Sequence, residues 1–412
     1  MNSAWKLHIP AVGDGLSQTI IRTRGNLISY FRDIGGLICY LRDQDYSASG
    51  DIFQVDCGGS KKDIAAKALI RATENRLNHI THLSISHLHR DHTNAIRDND
   101  LLPDETLSGL KTVYFPIIPK GPKSDPDIVE TLILRMITID TILTGITEGS
   151  VSSNIVNILQ RLSSKDSLEI ELIHKGWRSN WNGLEIECLW PPMGMAEDDE
   201  ISKPMHDALN DYEKLLEGSF ELRVLVMALQ GDGGLNILVN ALRNKNMTED
   251  LNKIKDPFLN SEQSKIRTEF TSKFEKLKAK CDDALLTSIK ELNGKLKGLA
   301  NQFSSVLVFG RQAVLFGDVD EIGANYVVDT LLDKDNCCQK PAVLVAPHHG
   351  TSEHWAPKIL NLKPTITVIS VGKGLHAHVD PGYHSFGKFQ HVTALDGDFS
   401  VSFDSVFAGK VV

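Results

Sequence analysis

Short apolar runs separated by turns open the chain. Trp5 to Ile9, Gln18 to Thr23, Leu37 to Leu41 and Ile52 to Val55 fit strands, the last running into Asp56-Cys-Gly-Gly59. Over Lys61 to Leu77 the period changes: Ile64, Ala65, Ala68, Leu69 and Ala72 form one helical stripe. A further strand is predicted at Leu83-Ser-Ile-Ser86. Thr112 to Phe115 and Leu168 to Ile173 then read as strands, and Ile128 to Leu143 and Ile155 to Leu162 as helices. The alternation persists to Leu189-Trp-Pro-Pro192, so residues 1–195 read as an α/β unit.

The pattern changes over 196–300, which is rich in Lys, Glu, Asp, Asn and Leu and holds little that fits a strand. This stretch reads as a helical insertion. Apolar residues from Ile266 through Phe270, Phe274, Leu277, Cys281, Leu285, Ile289, Leu292 and Leu296 to Leu299 recur every three or four positions. They predict one amphipathic helix of roughly 34 residues, about 50 Å long. Residues 251–300 carry eleven Lys or Arg against seven Asp or Glu, which suits a solvated face or a partner-binding surface. Strand character returns in 301–412: Ser305-Val-Leu-Val-Phe309, a turn at Gly310-Arg-Gln312 and Ala313-Val-Leu-Phe316 predict a hairpin that delivers Gly317-Asp318.

Composition narrows the class without naming it. The chain has 412 residues, 41% hydrophobic and 24% charged, and no window long and apolar enough to span a membrane. Its start lacks a basic region followed by an apolar one, so the expected location is cytoplasmic. The six cysteines show no paired CxxC spacing and read as reduced thiols. A net charge of −9 disfavours indiscriminate nucleic-acid binding but permits a local basic groove.

The chemistry concentrates in His87-Leu-His89-Arg-Asp91-His92, directly after a predicted strand. At this spacing His87 and His89 can turn toward one ion while Asp91 and His92 reach a second. Two later segments also follow apolar runs: Pro347-His348-His349-Gly350, and His376-Ala-His378-Val-Asp-Pro381. Ligands from these strand ends would gather at one edge of the sheet. Asp318, short and anionic at a strand end, suits a carboxylate that bridges two divalent cations. Gly231-Asp232-Gly-Gly234 lacks a preceding hairpin and reads as a turn, and Cys337-Cys338 is poor evidence for a metal.

Taken together, Val12-Gly-Asp-Gly15, Asp56-Cys-Gly-Gly59, the His87 to His92 motif, Gly317-Asp318, Pro347-His348-His349-Gly350 and His378 before Pro381 resemble the metallo-β-lactamase fold. More narrowly, they are similar to the branch that includes the hydrolase domain of ComEC-type DNA-uptake proteins and the choline-phosphate esterases. Asn301, ahead of the hairpin, also matches that branch. The resemblance covers most of residues 7–192 and 301–404 and implies an αββα sandwich interrupted by the insertion. It implies that His87, His89 and one of His348 and His349 hold the first ion, that Asp91, His92 and His378 hold the second, and that Asp318 bridges. His376 competes with His378. His174 stands where many relatives place a separate histidine, and the His348-His349 pair is preferred for that ligand.

The expected protein is a dinuclear metal-dependent hydrolase, a phosphodiesterase or nuclease using a metal-bridging hydroxide, with Asp91, Asp318, His348 and His349 in catalytic roles. The histidine of the His348-His349 pair that is not a ligand is expected to donate a hydrogen bond or a proton. Two zinc ions are expected; the same ligands admit manganese, iron or nickel. The expected substrate is nucleic acid or a nucleotide. The alternatives are a small-molecule phosphoester or carboxylic-ester hydrolase, and an assembly subunit gated by a protein partner on the helical insertion.

Overall fold

The computed structural model describes residues 3–12, 15–24, 51–59, 61–87, 89–97, 106–144, 168–196, 200–230, 272, 274–333 and 340–404. The expected strand at Leu37 to Leu41, the helix at Ile155 to Leu162, Gly231-Asp232-Gly-Gly234 and Cys337-Cys338 lie outside them, as do Gly13 and Asp14.

In chain order the elements begin with strands β1 (Ser3–Ile9), β2 (Ser17–Arg24) and β3 (Ile52–Cys57), helix α1 (Lys62–Ala72), β4 (Ile80–Ser84) and α2 (Arg90–Arg97). They continue through β5 (Thr112–Pro116), α3 (Ile128–Thr144), β6 (Glu169–Ile173), β7 (Arg178–Trp181) and β8 (Leu184–Trp190). Helices α4 (Ser202–Gly218), α5 (Phe220–Gln230) and α6 (Asp283–Asn301) follow. The last part holds β9 (Val306–Phe309), β10 (Ala313–Leu315), α7 (Glu321–Leu332), β11 (Val343–Val345), β12 (Ile366–Ile369), β13 (Phe389–Val392), the single turn α8 (Thr393–Asp396) and β14 (Phe399–Asp404).

These strands form two mixed seven-stranded sheets, ordered β14-β1-β2-β3-β4-β5-β6 and β13-β12-β11-β10-β9-β8-β7. Side-chain alternation sorts the layers. In the all-buried strand β9, Leu307 and Phe309 join Phe53, Val55, Leu7 and Trp5 of the other sheet in one apolar cluster. Val306 and Val308 point the other way, packing with Val314, Leu344 and the α7 residues Val327, Val328 and Leu331. On the outer face of the first sheet, Ile52, Ile80 and Leu83 pack with Ala65, Ala66 and Leu69 of α1. The layers are therefore helix, sheet, sheet, helix, and the central strands read as continuous apolar runs because both faces are covered.

The helices of 196–300 form a fourth cluster with α3. Val129, Leu132, Met136 and Ile139 of α3 pack with Met205, Ala208 and Tyr212 of α4, Leu222 and Leu225 of α5, and Ile289, Leu292 and Leu296 of α6. α6 leads directly into β9, and the Trp190 indole N–H donates to the Gln302 carbonyl, tying the helical unit to the second sheet. No helix among the described residues is long and apolar enough to cross a membrane.

The single helix expected from Ile266 to Leu299 is not formed. The chain turns at Ala279 to Cys281, where Lys280 and Cys281 donate to carbonyls three residues back, and a new helix starts at Asp283. The apolar period runs through this break because Cys281 stays buried. What ends one helix and starts the next is Asp282, whose carboxylate accepts from the Leu285 N–H at 2.7 Å as an N-cap. Asp282→Ala is expected to lower unfolding free energy by about 1 kcal/mol in denaturant titration. An unchanged midpoint would mean that the cap does not stabilise α6.

Candidate metal centre

The residues singled out by sequence come together where the parallel strands of both sheets end. β4 runs parallel to β3 and β5 and leads to His87; β10, β11 and β12 are mutually parallel and lead to Asp318, the His348-His349 pair and Ser370. The two sheets are stitched at this end by Ser305 N–H donating to Ser86 O at 2.9 Å, and the hairpin to the His348 loop by His348 N–H donating to Gly317 O at 2.9 Å.

Asp318 is the centre of the group, 2% exposed. Its Oδ2 lies 3.2 Å from His92 Nε2, 3.6 Å from His348 Nε2 and 3.9 Å from His87 Nε2. Asp91 Oδ2 lies 3.8 Å from both His92 Nε2 and His349 Nε2. One ligand atom from each of Asp91, His92, Asp318 and His349 falls within 4.8 Å of the others.

The histidines are oriented from behind. Asp56, fully buried at the end of β3, accepts from Ser86 N–H at 2.7 Å, Ser86 Oγ–H at 2.7 Å and His92 Nδ1–H at 2.9 Å. Because the Ser86 hydroxyl donates to Asp56, its oxygen is free to accept from His87 Nδ1–H at 3.1 Å. His349 Nδ1–H donates to the Ser370 carbonyl at 2.8 Å. In all three rings the Nδ1 proton is committed and Nε2 is left facing the carboxylates. His87 Nε2, His92 Nε2 and Asp318 Oδ1 are buried without a hydrogen-bond partner among the described residues. His89 differs: its Nε2 contacts Met136 Sδ at 3.4 Å, so Nδ1 is the nitrogen it can offer, and its ring centre lies 4.5 Å from that of His87.

Burial and charge act against each other here. Burial holds the His87 imidazole well below its ordinary range and takes His89 down to about 4. Burial is the largest influence on His92 and His349 and opposes a proton on each, but Asp318 together with Asp56 and Asp91 at His92, and together with Asp91 at His349, outweighs it and raises both imidazoles. Burial works the other way on Asp318, but His92, then His348 and His349, hold its carboxyl well below the usual carboxylate range. So dense a set of convergent donors is costly to bury without a charge that satisfies it, and it fits a divalent cation of the zinc or manganese type.

The backbone turns sharply around this cluster. Asp56 (φ 49°), Gly317 (φ 58°), His348 (φ 43°), His349 (φ 60°) and Gly350 (φ 72°) all occupy the left-handed region, which costs a side chain about 1–2 kcal/mol. The buried Gln54 amide supports Asp56 by donating to its carbonyl at 2.5 Å. Close approach explains the glycines of the Asp56-Cys-Gly-Gly59 and Val12-Gly-Asp-Gly15 motifs. A Cβ on Gly58 would lie 1.6 Å from the Asp91 carbonyl oxygen, and one on Gly15 would lie 2.8 Å from the same atom.

Two placements differ from the expected ligand sets. His349 sits with Asp91 and His92, the position expected for His378. His378 is exposed on the short turn His376–His378, its N–H bonded to Leu375 O, and lies outside the four-residue group, as does the half-buried His376. His174, at the end of β6, bonds the Lys175 carbonyl through Nδ1. Sequence reasoning did not assign Asp56, Ser86, Ser370 or Met136 to the site. Asp56 stands in a quoted motif, but its partners Ser86 and His92 are 30 and 36 residues away and nothing local links them. His354, buried edge-on against the His348 ring with centres 3.7 Å apart, braces that side chain.

Asp56→Asn is expected to weaken divalent-metal retention about 10- to 100-fold in chelator competition. In the unsubstituted protein, apparent affinity rises as pH climbs above about 6.5, because an ion must displace the protons that the carboxylates hold on His92 and His349. Affinity indifferent to both would contradict this arrangement. No protein-family model matches the chain, and a search of curated proteins finds no match to it.

Proposed function

We propose that this chain is a dinuclear metal-dependent hydrolase of the metallo-β-lactamase fold, acting on phosphodiesters in nucleic acid or a nucleotide. The observation that carries the reading is the convergence of buried, unpartnered His87 Nε2, His92 Nε2 and Asp318 Oδ1 at the ends of both sheets. The helix, sheet, sheet, helix layering is compatible with that fold. In this reading His87, His89 and Asp318 hold one divalent ion, and Asp91, His92, His349 and Asp318 hold the other. Zinc or manganese bound there supplies Lewis acidity and lowers the pKa of coordinated water.

The chain's own residues do the rest. Asp56 and Ser370 keep His92 and His349 in one tautomer, so the donors are in place before substrate arrives. Asp91, with a side chain 40% exposed, and His348, at 23%, mark the side of the cluster open to solvent. A scissile group would approach there. Of the histidine pair, His348 is the proton donor to the leaving oxygen. Thr351 Oγ–H donates to the His348 carbonyl at 3.1 Å, so its oxygen accepts from His348 Nδ1–H at 3.3 Å, and Nε2 must take up a proton before it can pass one to the leaving oxygen.

A protein partner on the helical unit is a second reading. It is carried by Phe220 and Met227, large apolar side chains seven residues apart on α5 that are 68% and 70% exposed.

The test is hydrolysis of bis-p-nitrophenyl phosphate and of end-labelled DNA and RNA by the Zn²⁺- or Mn²⁺-loaded protein. Asp318→Ala is expected to lose both metal and turnover, whereas His348→Ala keeps its metal and loses about 100-fold or more in kcat. Turnover of the small diester alone would move the substrate to a small molecule. Silence on all of them with both metals bound would contradict the hydrolase reading.

A further inference from the structure

We propose that one corner of the sandwich beside the metal centre binds single-stranded nucleic acid. Lys120, Lys175 and Tyr326 hold a phosphate that flanks the scissile one, and Met193 meets an unpaired base. This rests on the phosphodiester reading above and commits it to a polymer.

Backbone bonds assemble the corner from both sheets. Lys120, on the segment after β5, donates its N–H to Met193 O at 3.0 Å and accepts from Met195 N–H at 2.9 Å. Lys175, just after β6, donates its N–H to Pro191 O at 2.7 Å. Residues 191–195 follow β8 and are thus held between the two lysines. β6 lies two strands from β4 in the first sheet, and β8 two strands from β10 in the second. β4, β5 and β6 are mutually parallel, and β8 and β10 are both antiparallel to β9, so all these strands end at the metal centre's side. At about 4.8 Å between strands, the corner stands about 10 Å from the strand ends that deliver His87 and Asp318. A nucleic-acid strand with its scissile phosphate at the centre would cross the corner with its next nucleotides.

The polar side chains there are donors. Lys175 Nζ donates to Tyr326 Oη at 3.3 Å and lies 4.4 Å from the centre of that ring. A phenol carries no charge to compensate the ammonium, and the contact uses one of its three N–H groups. Because the phenol oxygen accepts, its own proton is available to a further acceptor. Lys120 is exposed, and neither lysine has a carboxylate partner among the described residues. Glu171 of β6, Glu187 of β8 and Asp329 of α7 are engaged elsewhere, with Trp177 Nε1–H at 2.6 Å, Arg178 at 2.9 Å and Lys358 at 2.8 Å. In a chain of net charge −9, two such cations make a local anion site. Met193 is 53% exposed on the segment between them, and Tyr326, 47% exposed, rests against Trp190 with ring centres 5.3 Å apart. Cations interleaved with exposed apolar and aromatic side chains suit a single strand, whose bases are free to make contact, whereas a duplex keeps its bases stacked inside.

The test is fluorescence anisotropy of a fluorescein-labelled, single-stranded oligothymidylate with a phosphorothioate backbone, titrated with the full-length, Zn²⁺-loaded protein over a range of NaCl concentrations. It reads binding without turnover. Lys120→Gln and Lys175→Gln are each expected to weaken binding on the order of tenfold. Each is also expected to reduce the slope of log Kd against log [NaCl] by about 0.7, the value for one phosphate contact on a single strand. The Arg variants at both positions keep the slope, and Met193→Ser weakens binding about threefold without changing it. Lys67→Gln is the control: it removes a cation of α1, 3.9 Å from Asp63, and is expected to leave binding unchanged. An unchanged slope in either Gln variant, a duplex of the same length bound as tightly as the single strand, or no binding by the unsubstituted loaded protein would each overturn the proposal. Binding that depends on both lysines in a protein that hydrolyses no diester would sustain the surface and remove the hydrolase reading.

Discussion

A single buried carboxylate organises this molecule. Asp318 is almost fully enclosed, and its Oδ2 faces the Nε2 atoms of His87, His92 and His348 at 3.2–3.9 Å while Oδ1 has no hydrogen-bond partner among the described residues. Burying such a group is unfavourable unless positive charge meets it. The carboxylates raise the His92 and His349 imidazoles above their ordinary range, which favours a proton on each that would meet this charge. A divalent ion held by these residues would provide it more completely and displace those protons. The rest of the architecture can be read as the apparatus that keeps five or six competing polar groups at this separation.

That apparatus draws on both sheets. Parallel strands β4, β10, β11 and β12 all end on the same side, so one packed apolar layer fixes the spacing of ligands that are more than 200 residues apart in sequence. Asp56, Ser86 and Ser370 then set ring orientation by taking up the Nδ1 protons. Left-handed backbone at Asp56, Gly317, His348 and His349 turns the chain sharply at the points where a side chain must leave the sheet. Strain concentrated at one end of an otherwise regular sandwich is what a preorganised site requires.

Much of this was legible in the residues. Strand runs such as Ile52 to Val55 and Thr112 to Phe115, and the hairpin before Asp318, fall within the observed elements because apolar period and turn residues are local signals. The His87 to His92 motif was legible for the same reason: its chemistry is contiguous. What was not legible depends on tertiary proximity. The choice of His349 rather than His378 beside Asp91 follows from the left-handed turn at the histidine pair, which no periodicity reports. The break at Asp282 was hidden because the buried Cys281 keeps the helical period running across it. β7, whose Arg-Ser-Asn-Trp sequence has no strand-like alternation, is held by pairing to β8. Asp56 and Met136 matter only because the fold brings β3 to Ser86 and α3 to His89.

The claim on which everything else depends is that this cluster is a two-ion centre built on Asp318. Native mass spectrometry of the purified full-length protein, dialysed against Zn²⁺ and then freed of excess metal, tests it most directly. The account predicts two retained ions per chain, and retention of none or one in Asp318→Ala with the fold intact by circular dichroism. A wild-type chain that retains no metal, or an Asp318→Ala chain that still retains two, would contradict it.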